Sequence, residues 1–223
     1  MVETARMLRN LLLICGILSS LLYVGTDILA GTLWEGYSFT SQAISELSAI
    51  GAPTRPLVVP LDLAYDVLMI AFGLGVWGYS RKRALRFTGG LLVGMGAVGL
   101  VQVSFFPMHL RGAEATFTDI MHSILAGVHV LLILLAMGFG ATAYGKRFRL
   151  YSIGTLLTLL VLGAVLGFVG GAQITVQGKI APPQWFGVSE RITVYGSMLW
   201  VVVLAIVLLR AEKGPGLVSD RDA

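Results

Sequence analysis

Residues 118–129, TDIMHSILAGVH, place an aspartate and two histidines on a segment otherwise made of apolar and small residues. At about 100° per residue, Asp119, His122 and His129 fall within roughly 80° of one another on a helix wheel. Such a stripe can bind a ligand, relay a proton, ligate a metal or hydrogen-bond a neighbouring helix. Depth separates its members. Counting about 20 residues back from Tyr144 puts a hydrocarbon boundary near residue 124. Asp119 and His122 then sit at an interface, where charge is tolerated, and His129 lies roughly 7–8 Å deeper. An imidazole at that depth calls for a partner, either an interhelical hydrogen bond or a ligand.

A second group starts with PLDLAYD, which spaces Asp62 and Asp66 one helical turn apart. Carboxylates so spaced can share a proton, or simply face water at a helix start where negative charge is favourable. Asp27, Glu190 and Tyr195 fall at the same ends of their segments, with Arg111 and Arg191 as counter-ions. The resulting ligand-binding candidates are Ser45, Asp66, His122, His129, Glu190 and Tyr195. For catalysis, Glu46, Asp119 and His122 are acid/base candidates, with Ser41, Ser45 or Ser48 as nucleophile; no GxSxG elbow supports them.

His109, Asp119 and His122 form a weak metal set. Zinc in a catalytic site takes three protein ligands, yet His122 and His129 are about 10.5 Å apart along a helix axis. The sequence has no HExxH, no Cys/His cluster, no phosphate loop and no dinucleotide fingerprint. Haem would need an opposing intramembrane histidine that is absent. No cofactor is expected.

The elements that must position these residues are apolar helices. Only 13% of the 223 residues are charged and 56% are hydrophobic, against about 25% charged in soluble domains. Mean hydropathy is +0.84. The expected fold is all-α: one polytopic bundle over 1–223 with six transmembrane helices at about 8–33, 58–80, 87–106, 118–144, 150–172 and 191–210. The first apolar run reads as an uncleaved span, being too long for a signal peptide and lacking an A-x-A site.

With both termini cytoplasmic, only Arg55, Arg111, Lys179 and Arg191 of the 16 basic residues lie outside, as the positive-inside rule requires. This placement also accounts for the pI of 9.4 without nucleic acid; membrane lipids are the expected partners. Most acidic residues lie at the opposite end, where the connections 34–57, 107–117 and 173–190 are longer. Within the first, Ile44, Leu47 and Ile50 at three-residue spacing predict a short amphipathic helix, an interfacial lid ended by Gly51 and Pro53. Glycine runs such as GGLLVGMGAVG read as close helix packing, with a substrate crevice as the alternative. Cys15, the single cysteine, is a small packing residue.

The segments YSFTSQAISELSAIGAPTRPL (37–57), SFFPMH (104–109), HSILAGVH (122–129) and ERITVYGS (190–197) together resemble the prokaryotic membrane family known as domain of unknown function 998. That resemblance covers nearly the whole chain. It implies a compact multi-pass protein of the prokaryotic plasma membrane with its motifs outside, and it points to Ser45, Glu46, Pro53, Pro107 and His122. It brings no activity with it. A looser resemblance to alkaline-ceramidase-like membrane hydrolases rests on Ser, Asp and three His near one face, without that group's seventh span or HxxxH pair.

Three functions follow as expectations. The first is an outward-facing polar pocket that binds or transports a lipid headgroup or small polar solute, lined by Asp66, His122 and His129 under a lid at 41–50. The second is a membrane-embedded hydrolase or transferase acting on lipid at the outer leaflet. The third is a structural subunit whose ionisable groups only join helices.

Overall fold

The computed structural model describes residues 2–171 and 185–213. Among these, regular structure is entirely helical: α1 Val2–Leu33, α2 Arg55–Tyr79, α3 Arg83–Phe105, α4 Phe117–Ala141, α5 Lys146–Gly171 and α6 Phe186–Lys213, with one 3-10 turn at Ile44–Ser48. Five of the helices, all but α5, contain described stretches long and apolar enough to cross a bilayer. Lys179, part of the connection 173–190 and the C-terminal tail lie outside the described residues.

Each helix packs on its neighbours in sequence, and α6 returns to α1, closing a ring. Leu13, Phe72, Leu92, Met137, Trp200 and Leu204 fill the interior. Leu11, Leu18, Leu21, Leu131, Leu157 and Leu199 face outward, the reverse of a water-soluble surface and what a lipid-facing one requires.

The tightest seam joins α2 to α3, and glycine makes it possible. A Cβ on Gly89 would meet the backbone of Gly73 and Trp77 at 2.5–2.8 Å, and one on Gly96 the carbonyl of Asp66 at 2.6 Å. The glycine runs are therefore packing surfaces. Between α5 and α6 the contact is looser, leaving a groove of about 430 Å³ beside Gly154, Thr158 and Gly196.

Polar groups within helices bond back to their own turns, the usual solution in lipid. Ser19 and Ser20 hydroxyls donate to the Gly16 carbonyl at 3.1 and 2.9 Å. The Trp200 indole N–H reaches Ser152 across α5 and α6 at 2.9 Å. At the basic end the connections are short, and Arg9 and Arg86 lie over Tyr79 and Trp77, pairs suited to a membrane interface.

The short amphipathic helix expected within 41–50 is a 3-10 helix over Ile44–Ser48, buried by Ile44, Glu46 and Leu47 rather than laid on an interface. Its carbonyls are captured before an α-turn can propagate: Thr54 Oγ1 donates to the Leu47 carbonyl at 2.7 Å, and Arg55 donates to that of Ser48. Gly51, at φ +91°, then reverses the chain. Ile44, Glu46 and Leu47 all point inward. Ile50 is exposed because its backbone leaves the turn to pair with the 108–109 strand-like segment.

Candidate functional site

At the end opposite the basic connections, residues 34–54 form a hydrogen-bonded cap across the ring. Arg191, from the first turns of α6, is its hub. Nε and Nη2 grip the two Asp27 carboxylate oxygens of α1 at 2.9 and 2.8 Å. Nη1 donates to the carbonyls of Phe39, Gln42 and Gly187 at 2.9–3.1 Å, and Nη2 also donates to the Tyr37 hydroxyl at 2.7 Å. Tyr37 in turn donates to the Ala43 carbonyl, and Tyr195 donates to Asp27 at 2.5 Å. Every guanidinium donor is used, so the burial of this pair is compensated by geometry. Burial also raises the Tyr37 phenol well above its ordinary value, opposed by Arg191. It stays neutral and can donate.

A second clasp joins the cap to residues 106–116. Arg111 donates Nε and Nη2 to the two oxygens of Glu46 at 2.8 and 2.5 Å, and Nη2 also reaches the Ser41 carbonyl at 2.9 Å. The hydrogen bond to Glu46 holds the Arg111 pKa above its ordinary value. Glu46 additionally accepts the Ala43 N–H at 2.9 Å, back-capping the turn it sits in. Beyond it, the Ile50 N–H donates to the Met108 carbonyl at 2.8 Å. Glu190 completes the underside by accepting the Ile44 N–H at 2.7 Å.

Asp119 begins α4. Its oxygens accept the His109 N–H at 2.7 Å, the Thr116 N–H at 2.8 Å and the Thr116 hydroxyl at 2.7 Å. His109 Nδ1 lies 3.0 Å from the same carboxylate, which leaves Nε2 without a hydrogen bond among the described residues. His122 donates Nδ1–H to the Phe106 carbonyl at 2.9 Å, while its own carbonyl accepts from Gln102 at 2.9 Å. Pro107 ends α3, so the carbonyl of Phe106 has no helical donor. His122 supplies one from α4.

Beneath the cap the pattern changes. Asp62 and Asp66, on the inward face of α2, accept no hydrogen bond and form no ion pair among the described residues, although Asp66 is only 2% exposed. Its carboxylate lies directly against Gly99 of α3, in space that any Cβ there would occupy. The Tyr65 and Tyr23 rings meet with centroids 4.8 Å apart, tilted at 54°. His129 lies deeper on α4, with a buried Nδ1 that has no hydrogen-bond partner among the described residues.

The sequence-derived candidates therefore divide among separate networks. Glu46 joins Arg111, Asp119 joins His109, His122 joins Phe106, and Tyr195 joins Asp27 and Arg191. Ser45 only lends its carbonyl to the Ser48 hydroxyl at 3.2 Å. Glu46, Asp66, Asp119, His122 and His129 share no one hydrogen-bond network among the described residues. Among the described residues, His129 has no interhelical hydrogen bond. Among the described residues, no three His, Cys, Asp or Glu side chains are grouped to hold a metal, and His122 points to a carbonyl rather than to the His109–Asp119 pair.

Sequence reasoning missed Tyr37, Thr26, Tyr23 and Tyr65. Tyr23 and Asp27 at four-residue spacing, and Tyr65 adjoining Asp66, were the available signals.

The motif residues singled out by resemblance acquire plain structural roles here. Glu46 back-caps and binds Arg111, Pro107 ends α3, and His122 receives that end. No curated protein and no solved structure matches the chain. A family model described as protein of unknown function (DUF998) matches residues 17–207. With the match running from α1 to α6 and through every contact of the cap, the chain belongs to the DUF998 family.

Proposed function

We propose that this protein crosses the cell membrane six times, with both termini on the cytoplasmic side, and binds or transports a small polar solute or lipid headgroup in the outer half of the ring. The observation that carries this reading is Asp66. Buried charge in lipid is costly and is retained where a protein uses it, and among the described residues Asp66 has neither donor nor cation while Asp27 and Glu46 each hold an arginine. The cap at 34–54 acts as the lid, and the acids beneath it as the ligand contacts. The direct test is a stability screen of the purified protein against polar solutes and headgroup lipids. At least one is expected to raise the melting midpoint of the wild type and not of Asp66→Asn. A panel that leaves the wild type unmoved refutes the binding reading.

One observation favours a second reading, a membrane-embedded hydrolase or transferase at the outer leaflet. The His109 ring is oriented by Asp119 through Nδ1, the arrangement that prepares Nε2 as a general base. Covalent labelling by a serine-reactive fluorophosphonate, lost in His109→Gln, would establish it. An unlabelled wild type removes it.

A further inference from the structure

The arginines at the two ends of the ring are placed differently. At the capped end, Arg191, Arg111 and Arg55 are all taken up by protein acceptors. At the basic end, Arg81 and Arg86 line a cleft of about 300 Å³ at the turn from α2 to α3, together with Trp77, Gly78, Tyr79 and Ser80. Among the described residues neither guanidinium has a hydrogen bond or a carboxylate partner, and Arg86 lies over the Trp77 ring, 5.9 Å from its centroid. The sequence accounts for the missing counter-ions. Residues 67–113 contain no aspartate or glutamate, so α3 and the adjoining half of α2 bring no acid to this turn.

The walls of the cleft are fixed by the rest of the fold. Arg9 of α1 lies over the Tyr79 ring at 5.4 Å, and the Tyr144 hydroxyl, just past the end of α4, donates to that of Tyr79 at 3.2 Å. Ser80 Oγ accepts the Lys82 N–H at 3.2 Å, which shapes the turn and leaves the serine O–H without an acceptor among the described residues. Gly78 keeps the space open, since a Cβ there would meet nothing within 4 Å. No side chain caps the first turn of α3, so the positive end of that helix adds to the same field. A cation would meet only repulsion here. An oxyanion would find two guanidinium forks and a hydroxyl. Trp77 and, next to Arg86 in sequence, Phe87 are exposed, and such rings stand at the level of lipid headgroups, where the oxyanion at hand is phosphate.

We propose that this cleft is a phosphate site, in which Arg81, Arg86 and Ser80 hold the phosphate of an anionic lipid headgroup or of a small phosphorylated solute. It lies at the opposite end of the ring from Asp66 and is independent of the solute-binding reading above. The experiment uses the purified full chain in an uncharged detergent at fixed ionic strength. Its melting midpoint is followed on adding phosphatidylglycerol, phosphatidylcholine or oleate, and separately on adding glycerol phosphate or inorganic phosphate. At least one of the phosphate-bearing anions is expected to raise the wild-type midpoint by roughly 5 °C near saturation. The shift is expected to vanish in Arg81→Gln/Arg86→Gln and to persist in Lys146→Gln/Arg147→Gln, which removes the same charge from the other basic connection. A response to phosphatidylglycerol without one to the soluble phosphates identifies a lipid headgroup. A response to the soluble phosphates, with or without the lipid, identifies a site for the phosphate itself.

A response to phosphatidylcholine or oleate equal to that to phosphatidylglycerol would mean that any lipid, or any negative charge, serves, and overturns the assignment. An equal loss in the two double variants shows diffuse attraction to basic loops and overturns it as well. So does a midpoint that none of the phosphate-bearing anions moves. Should Arg81→Gln/Arg86→Gln fail to fold, hydrogen exchange of the wild type with and without phosphatidylglycerol or glycerol phosphate decides the same question. Slowing at residues 80–86 and not at 145–149 supports the site. Equal slowing at both connections, or none at either, overturns it.

Discussion

Arg191 and Asp66 are the two residues on which the capped half of the protein turns, for opposite reasons. Arg191 is saturated: six acceptors from α1, α6 and the cap surround one guanidinium. Removing it strands Asp27 in a buried site. Arg191→Ala is expected to lower stability by about 3–5 kcal/mol, measured by denaturation in detergent. Arg191→Lys should recover only a minor part, because one ammonium cannot replace a fork bonded on both edges. Asp66 is unsaturated, and its side chain fits only because residue 99 is glycine. Gly99→Ala is expected to destabilise by about 1–3 kcal/mol through overpacking. Asp66→Ala in the same chain should return most of that loss, a coupling that a double-mutant cycle measures directly. Equal penalties in the presence and absence of Asp66 would mean that the alanine strains α3 for some other reason.

At the scale of elements, the cap behaves as a structural part with defined joints. The Val188 N–H donates to the Thr40 carbonyl at 3.1 Å, and Glu190 accepts from Ile44. Both joints depend on α6 approaching the cap backbone at Gly187, where a Cβ would meet the carbonyls of Phe39 and Gln42. Neither backbone carbonyl can turn away without breaking its bond to Arg191. Gly187→Ala is therefore expected to accelerate hydrogen exchange at Ile44 and Val188 by on the order of tenfold or more, from about 1–3 kcal/mol of overpacking. Amides at the centre of α2 should be unaffected. The helices were legible from the sequence because apolar run length and basic or proline boundaries act locally: α2, expected from 58, starts at Arg55, and α3, expected to stop near Pro107, ends at Phe105. The cap was not legible. Its serines and isoleucines at three-residue spacing read equally as amphipathic helix or 3-10 turn. Thr54 and Arg55 decided the outcome by taking its carbonyls, and that depends on where α2 begins.

The whole ring is organised by two unlike ends, one basic and simply connected, the other acidic and capped. That asymmetry was visible in the sequence, as was the gathering of the candidate acids at the end opposite the basic connections. Their separation into networks was not, because spacing along one helix reveals depth and face but not which neighbour lies opposite. His122 illustrates the gap: its stripe with Asp119 and His129 is real, yet Pro107 on another helix gives it a carbonyl to bind. Orientation can be tested where the ends differ most. In a Cys15→Ala background, Glu114→Cys would place a thiol on an exposed position of the capped end, and Arg83→Cys one at the start of α3. A membrane-impermeant maleimide added to intact cells is expected to label residue 114 and to reach residue 83 only after permeabilisation. A third thiol at Arg147→Cys, at the start of α5, should behave like residue 83, and one at Trp185, beside the start of α6, like residue 114. Labelling of 147 and 185 from the same side would show that α5 does not cross, reducing the six spans to five and separating the termini.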